Sequence, residues 1–312
     1  MKPFRSEITR RKFFQQAGSS ALALTLGGAS TFFLSQPAAK KINAGSRING
    51  VEIGIILPYA LRGIPGDPDA EQLLSYVKEL GISYVEMQAP PAERFAGISA
   101  DNPVEWRLSA GMEKFKELRK LYNDAGVEFY AFKQTLSAEM SDEEYDYTFR
   151  VARTLGASQV TMELPRRDPD GTLTNRIGQF AEKHQLMVAY HNHTQANINF
   201  WDRAVWQSEY NGLNLDIGHY VAANGPESLM EILDKHWTRI GSLHLKDRKV
   251  GMGDNVPWGE GDTPIAEVLQ LMRDRKAPFQ ATIELEYNVP DHSDPLQEVS
   301  RCLEYCRRAL EG

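Results

Sequence analysis

From residue 51 onwards, short β-rich runs alternate with stretches of helical spacing, and this alternation constrains the fold more than any other feature. The runs are V-E-I-G-I-I-L (51–57), Y-V-E-M-Q (84–88), V-E-F-Y-A-F (127–132), Q-V-T-M-E-L (159–164), L-M-V-A-Y-H (186–191), L-N-L-D-I (213–217), I-G-S-L-H-L (240–245) and A-T-I-E-L-E (281–286). Helix punctuation stands between them. D-P-D-A-E-Q-L-L-S-Y-V-K-E-L-G opens on acidic cap residues and stops at Gly81, and Ser141 with Glu144 makes a capping box for a segment that stops at Gly156. Thr263 before Pro264 reads as a cap with proline in the first turn, and an amphipathic segment from about Pro295 to Leu310 closes the chain. Eight strands alternating with eight helices over about 265 residues predict parallel strands and crossover helices, closed into one (β/α)8 TIM barrel domain. An open doubly wound sheet would carry a Gly-rich phosphate loop after an early strand, and the L-P-Y-A-L-R-G-I-P-G that follows strand one is not one.

Residues 1–44 differ in character from the barrel expected over 45–312. Arg10 and Arg11 precede two phenylalanines, the run S-S-A-L-A-L-T-L-G-G-A-S-T-F-F-L follows, and Pro-Ala-Ala comes next. This layout resembles a twin-arginine export leader. Its apolar core of about 16 residues falls short of the ~20 that span a bilayer, so the expectation is a cleaved leader, a periplasmic protein and no stable membrane insertion afterwards. Residues 1–41 hold seven of the 35 basic and one of the 42 acidic residues, so the body beyond has 28 basic and 41 acidic, a net charge of −13. Such a body repels a phosphate backbone, which argues against a nucleic-acid partner. The two cysteines, Cys302 and Cys306, fall four apart on the last helix and read as small buried hydrophobes.

Barrel chemistry collects at the C-terminal ends of strands, so those ends can be read in turn. Strand four offers Glu163, strand five His191 and His193, and strand six Asp216 with His219 just beyond. Strand seven offers His244, Lys246 and Asp247, and strand eight Glu284 and Glu286. Residues two apart share a strand face, which pairs His191 with His193, His244 with Lys246, and Glu284 with Glu286. Charged groups inside apolar strands are costly unless paired or metal-bound, and here five consecutive strands carry them at one end. Carboxylates mixed with imidazoles suit a divalent ion, Mn²⁺ first, with Co²⁺, Zn²⁺ or Mg²⁺ as alternatives. A metal-free ion-pair network is the competing reading. Lys133, at the end of strand three, is set either to reach a substrate oxygen or to pair with Glu163, and Glu86 reads as part of a buried polar layer. Tyr59 and Trp258 offer either sugar-stacking faces or ordinary packing, while His184 and His236 read as surface residues of helices.

The motifs L-D-I-G-H on strand six, H-L-K-D on strand seven and E-L-E on strand eight resemble those of the xylose-isomerase-like TIM barrels, over roughly residues 50 to 310. W-G-E-G-D-T-P (258–264) is similar to the G-x-G loop that often follows strand seven in that family. The resemblance implies Asp216, His244 and Glu284 as metal ligands. Many ketose epimerases of the family place a ligating glutamate on strand five. Here that position holds histidines, with Glu163 available to supply the missing carboxylate, an arrangement closer to the inosose-dehydratase-type branch.

The reading that follows is a metal-dependent sugar isomerase or epimerase acting on a carbohydrate through a metal-stabilised enediolate. Glu163, Asp216, His244 and Glu284 are its ligands; His193 is the candidate acid/base, His191 a fifth ligand or second acid/base, and Lys246 a steadying charge. Lys133, His219, Trp258 and Glu286 are candidate substrate contacts. Dehydration of an inosose or a 3-keto-glycoside shares the first proton transfer and is the alternative reaction. Phosphoester hydrolysis would want a basic groove, and a non-catalytic sugar-binding barrel would want an incomplete ligand set. A homo-oligomer is compatible with all of these.

Overall fold

The computed structural model describes residues 45–312, so the expected export leader lies outside the described residues. Eight parallel strands close into a barrel: β1 Val51–Leu57, β2 Tyr84–Gln88, β3 Glu128–Lys133, β4 Gln159–Glu163, β5 Met187–His191, β6 Asn211–Asp216, β7 Ile240–Leu245 and β8 Gln280–Ile283. Ala281 of β8 pairs with Ile53 of β1, which completes the ring. Strands covered on both faces are largely apolar, which is why they stand out as runs such as Ile53–Leu57, buried at every position.

The helices form where the caps direct. α1, Ala70–Leu80, starts at Asp69, whose carboxylate accepts from Glu71 and Gln72 N–H in a capping box, and ends at Gly81 with φ 68°. Ser141 and Glu144 close the same box on the helix Asp142–Leu155. Two crossovers hold more helices than the simple alternation predicts. Between β2 and β3 lie Ala89–Ala96, Pro103–Ser109 and Glu113–Asp124, and between β6 and β7 lie Ile217–Asn224 and Pro226–His236. The expected cap at Thr263 does not form, because its hydroxyl accepts from Arg248 N–H and its N–H donates to Asp247, so that helix begins only at Ile265.

His184 and His236 also depart from expectation. His184 stacks on Phe149 at 5.4 Å and pairs with Asp146 at 2.6 Å, while His236 is buried against Asp202. Both stand in the last turn of their helices, next to a lysine that takes the outward position. Cys302 and Cys306 are buried and free, in keeping with their sequence reading. No described helix is long and apolar enough to cross a membrane.

Candidate active site

The barrel carries a polar column up its axis. Gln159 Nε2 and Asn214 Nδ2 both donate to Ser242 Oγ, at 3.0 and 2.7 Å, and Asn214 Oδ1 lies 2.6 Å from His191 Nδ1. Asn214 is two residues before Asp216 on β6, so the strand's own alternation points both into the barrel. Above this column, His244 stands between two buried carboxylates, Glu86 at 2.7 Å from Nε2 and Glu284 at 2.7 Å from Nδ1. Thr161 and Tyr130 hydroxyls donate to Glu86 at 2.6 and 3.2 Å and fix it in place. Burial works against charge on His244, yet Glu86 and Glu284 outweigh it and push its pKa to about 10.

Lys246 is buried among Asp216 at 3.0 Å, Glu284 at 3.3 Å and Glu286, and these carboxylates overcome burial to hold it charged. Its stem fits because Gly218 lacks a side chain, and a Cβ there would approach Lys246 Cγ to 2.3 Å. Glu286 also accepts from Tyr59 OH at 2.6 Å. Asn192 clamps the ends of β5 and β6, accepting from Asp216 N–H at 2.8 Å and donating to Asp216 O at 3.2 Å.

One donor atom each from His191, Asp216, His244 and Glu284 lies within 4.8 Å of the others, and all four residues are buried. This group suits a divalent ion on three grounds. Asp216 Oδ2 is buried without a hydrogen bond even though Lys246 is near. The contact at His191 Nδ1 leaves Nε2 as the nitrogen that ring can offer an ion, and burial, with the charges of Lys133 and His244, keeps the ring neutral. Once His244 gives up its proton, two imidazole nitrogens and two carboxylates form a donor set that borderline ions accept.

Glu163 lies outside this group, and His191 occupies the place expected for it. Its carboxylate instead takes Lys133 Nζ at 3.2 Å on one oxygen and His193 Nε2 at 3.2 Å on the other. Despite burial, the hydrogen bond from His193 and the charge of Lys133 hold Glu163 well below the usual carboxylate range. His193 is in turn raised, mainly by its bond to Glu163. Both side chains are about two-fifths exposed, 41% and 42%, so this pair faces the barrel mouth. The His193 ring stacks on His219 at 4.7 Å, and donor atoms of His191, His193 and His219 lie within 4.8 Å of one another.

Of the remaining sequence candidates, Lys133, His219 and Glu286 join this cluster, while Trp258 packs edge-on against Tyr305 and lines a separate cavity. Arg248 went unnoticed in the sequence. A short hairpin, Asp247–Arg248 with Asn255–Val256, brings its guanidinium to 2.6 Å from His219 Nδ1 while Gly253 O anchors it. Asp247 is structural, accepting from the N–H groups of Gly259, Gly261 and Thr263 and so tying down the loop after β7.

Residues 49–308 match the family model described as xylose isomerase-like TIM barrel. The chain belongs to the xylose isomerase-like TIM barrels. Among curated relatives of this barrel, the inosose dehydratase of Geobacillus thermodenitrificans is 30% identical over 87 residues, a stretch covering 26% of this chain and 28% of that enzyme. Among solved structures, an uncharacterised protein of Parabacteroides distasonis is 25% identical with a TM-score of 0.57, covering 83% of this chain and 99% of its own. A sugar phosphate isomerase/epimerase from the same species, at 17% identity and TM-score 0.59, covers 84% of this chain and 96% of its own and shares the fold.

Proposed function

We propose that this xylose isomerase-like barrel is a divalent-metal-dependent enzyme that moves a proton at the carbon next to the carbonyl of a keto sugar, in the isomerase/epimerase class. The observation that carries the reading is the half-exposed His193–Glu163 pair standing over the buried group of His191, Asp216, His244 and Glu284. A divalent ion held by those four would act as a Lewis acid on the substrate carbonyl, with Mn²⁺ the expected metal. Neutral His193 takes the proton from the carbon, and the electron pair of that C–H bond stays with the substrate as an enediolate. The ionised Glu163 orients the ring and steadies the imidazolium that forms. Returning the proton to the neighbouring carbon, as the hydroxyl proton passes to the former carbonyl oxygen, completes an isomerisation. Lys246, fixed among Asp216, Glu284 and Glu286, stays charged throughout and steadies negative charge near the substrate. The expected leader at residues 1–44 would put the enzyme in the periplasm, and the −13 body fits a small carbohydrate partner better than a polyanion.

The inosose dehydratase match favours a second reading, elimination. There the His193 imidazolium would give its proton to the departing hydroxyl instead of back to the carbon skeleton. One experiment addresses both. The purified protein with Mn²⁺ is screened in D₂O against keto sugars, inososes and 3-keto-glycosides. Deuterium entering the carbon beside the carbonyl supports the proton chemistry, and loss of water identifies the elimination. No exchange and no metal-induced thermal shift would leave a non-catalytic sugar-binding barrel.

A further inference from the structure

His219 stands in the first turn of the helix Ile217–Asn224, where its backbone N–H donates to Asp216 Oδ1 at 2.7 Å. Both of its ring nitrogens face a cation. Arg248 Nη1 lies 2.6 Å from Nδ1, and Lys246 Nζ lies 3.0 Å from Nε2. Guanidinium and ammonium groups only donate, while a neutral imidazole has a single lone pair with which to accept. A protonated ring has none and would set an N–H against each cation. The ring is therefore neutral, and only one of the two contacts is a hydrogen bond.

The partners available to each cation decide which one. Lys246 has alternatives, since Glu286 accepts from it and Asp216 and Glu284 lie at 3.0 and 3.3 Å. Among the described residues the Arg248 side chain otherwise meets only Gly253 O, 3.1 Å from Nε and 2.6 Å from Nη2. Met252 N–H, in the same hairpin, donates at 2.8 Å to Ala222 O on the helix that carries His219. Guanidinium and ring are thus held against each other by backbone contacts on both sides. A proton on Nε2 has an acceptor in Glu286 Oε2 at 3.4 Å, whereas one on Nδ1 would point at the Arg248 N–H. Arg248 takes the lone pair of Nδ1, and Nε2 carries the proton.

We infer that Arg248 is a positioning residue that locks His219 in its neutral Nε2–H tautomer, which makes His219 a hydrogen-bond donor to a substrate oxygen and not a second base. The role toward substrate rests on the proposed function; the tautomer does not. The two stacked rings then divide the work, His193 taking the proton and His219 donating. The test is a long-range ¹H–¹⁵N spectrum of the full chain with labelled histidine, at neutral pH with EDTA and no substrate, His219 being assigned by its loss in His219→Gln. Wild type should show an unprotonated Nδ1 and a protonated Nε2, and in Arg248→Met the two signals should move towards each other as the tautomers mix. A protonated Nδ1 in wild type would overturn the assignment on its own, and so would an unchanged tautomer in Arg248→Met. These spectra decide the tautomer even if wild type exchanges no deuterium with any sugar, the result that sinks the proposed reaction. With a sugar that wild type does exchange, Arg248→Met should be at least ~10-fold slower while keeping the Mn²⁺-induced thermal shift. Exchange at the wild-type rate would remove Arg248 from the reaction.

Discussion

His244 and His193 belong to the same barrel top, yet their surroundings differ in kind. His244 is fully buried, and each ring nitrogen faces a carboxylate that is itself held by other groups. His193 shares one carboxylate, Glu163, and both are open to the mouth. The floor around His244 is thus built to keep charges in place, as a metal site requires. The rim around His193 has the access and freedom that proton exchange with a substrate requires. Substitutions at the two levels should therefore fail in different ways.

The largest effect is expected from Asp216→Asn, which replaces a buried carboxylate oxygen of the proposed metal site. It should abolish the thermal shift caused by Mn²⁺ and reduce deuterium exchange by at least ~10²-fold. His193→Ala should lower exchange by about 10²–10⁴-fold while leaving the metal-induced shift intact. If instead it lost the metal shift, floor and rim would not be separable. Glu86→Gln should destabilise the fold by about 3 kcal/mol in chemical denaturation, because His244 then loses one of its two buried counter-charges. Glu163→Gln, half-exposed, should cost no more than ~1 kcal/mol by the same measurement.

Smaller effects sharpen the comparison further. Asn214→Leu leaves every ligand in place but removes the partner of His191 Nδ1, and metal affinity by calorimetry should fall ~10–100-fold. The smallest effect concerns the loop after Glu163. Burial would raise the Asp168 carboxyl, but the N–H groups of Thr174 and Leu173 and the Thr174 hydroxyl bond to it and hold it below its ordinary 3.8. A depressed carboxyl stabilises the fold above the unfolded value and loses that contribution as pH falls through the lower, folded one. Asp168→Asn should therefore lower the Tm by about 2 °C at neutral pH, with the difference shrinking in acid below pH 3.8.

The barrel was legible because parallel strands covered on both faces read as near-continuous apolar runs, and Val51–Leu57 and Ile240–Leu245 agree with those runs at both ends. The cluster was legible for a related reason, since charged residues at the ends of such runs have few other places to go. What sequence could not supply was depth and register. Glu163 and His191 pair directly across β4 and β5, yet only His191 turns in to meet Asn214. Asn214 is absent from the sequence reading, although its spacing of two from Asp216 on the same strand carried a usable signal. Arg248 had no such signal, because it reaches His219 only through a hairpin and the carbonyl of Gly253. The Thr263 cap failed for a similar reason, as the tertiary pull of Asp247 outweighed a local preference.

The most direct test of the division between floor and rim compares His193→Ala with Asp216→Asn on one substrate that wild type exchanges in D₂O. Metal binding is measured on the same samples. The expected result is that His193→Ala binds Mn²⁺ like wild type but exchanges at least ~10²-fold more slowly, whereas Asp216→Asn loses both. Exchange by His193→Ala at the wild-type rate, with metal bound, would contradict the claim that the His193–Glu163 pair moves the proton.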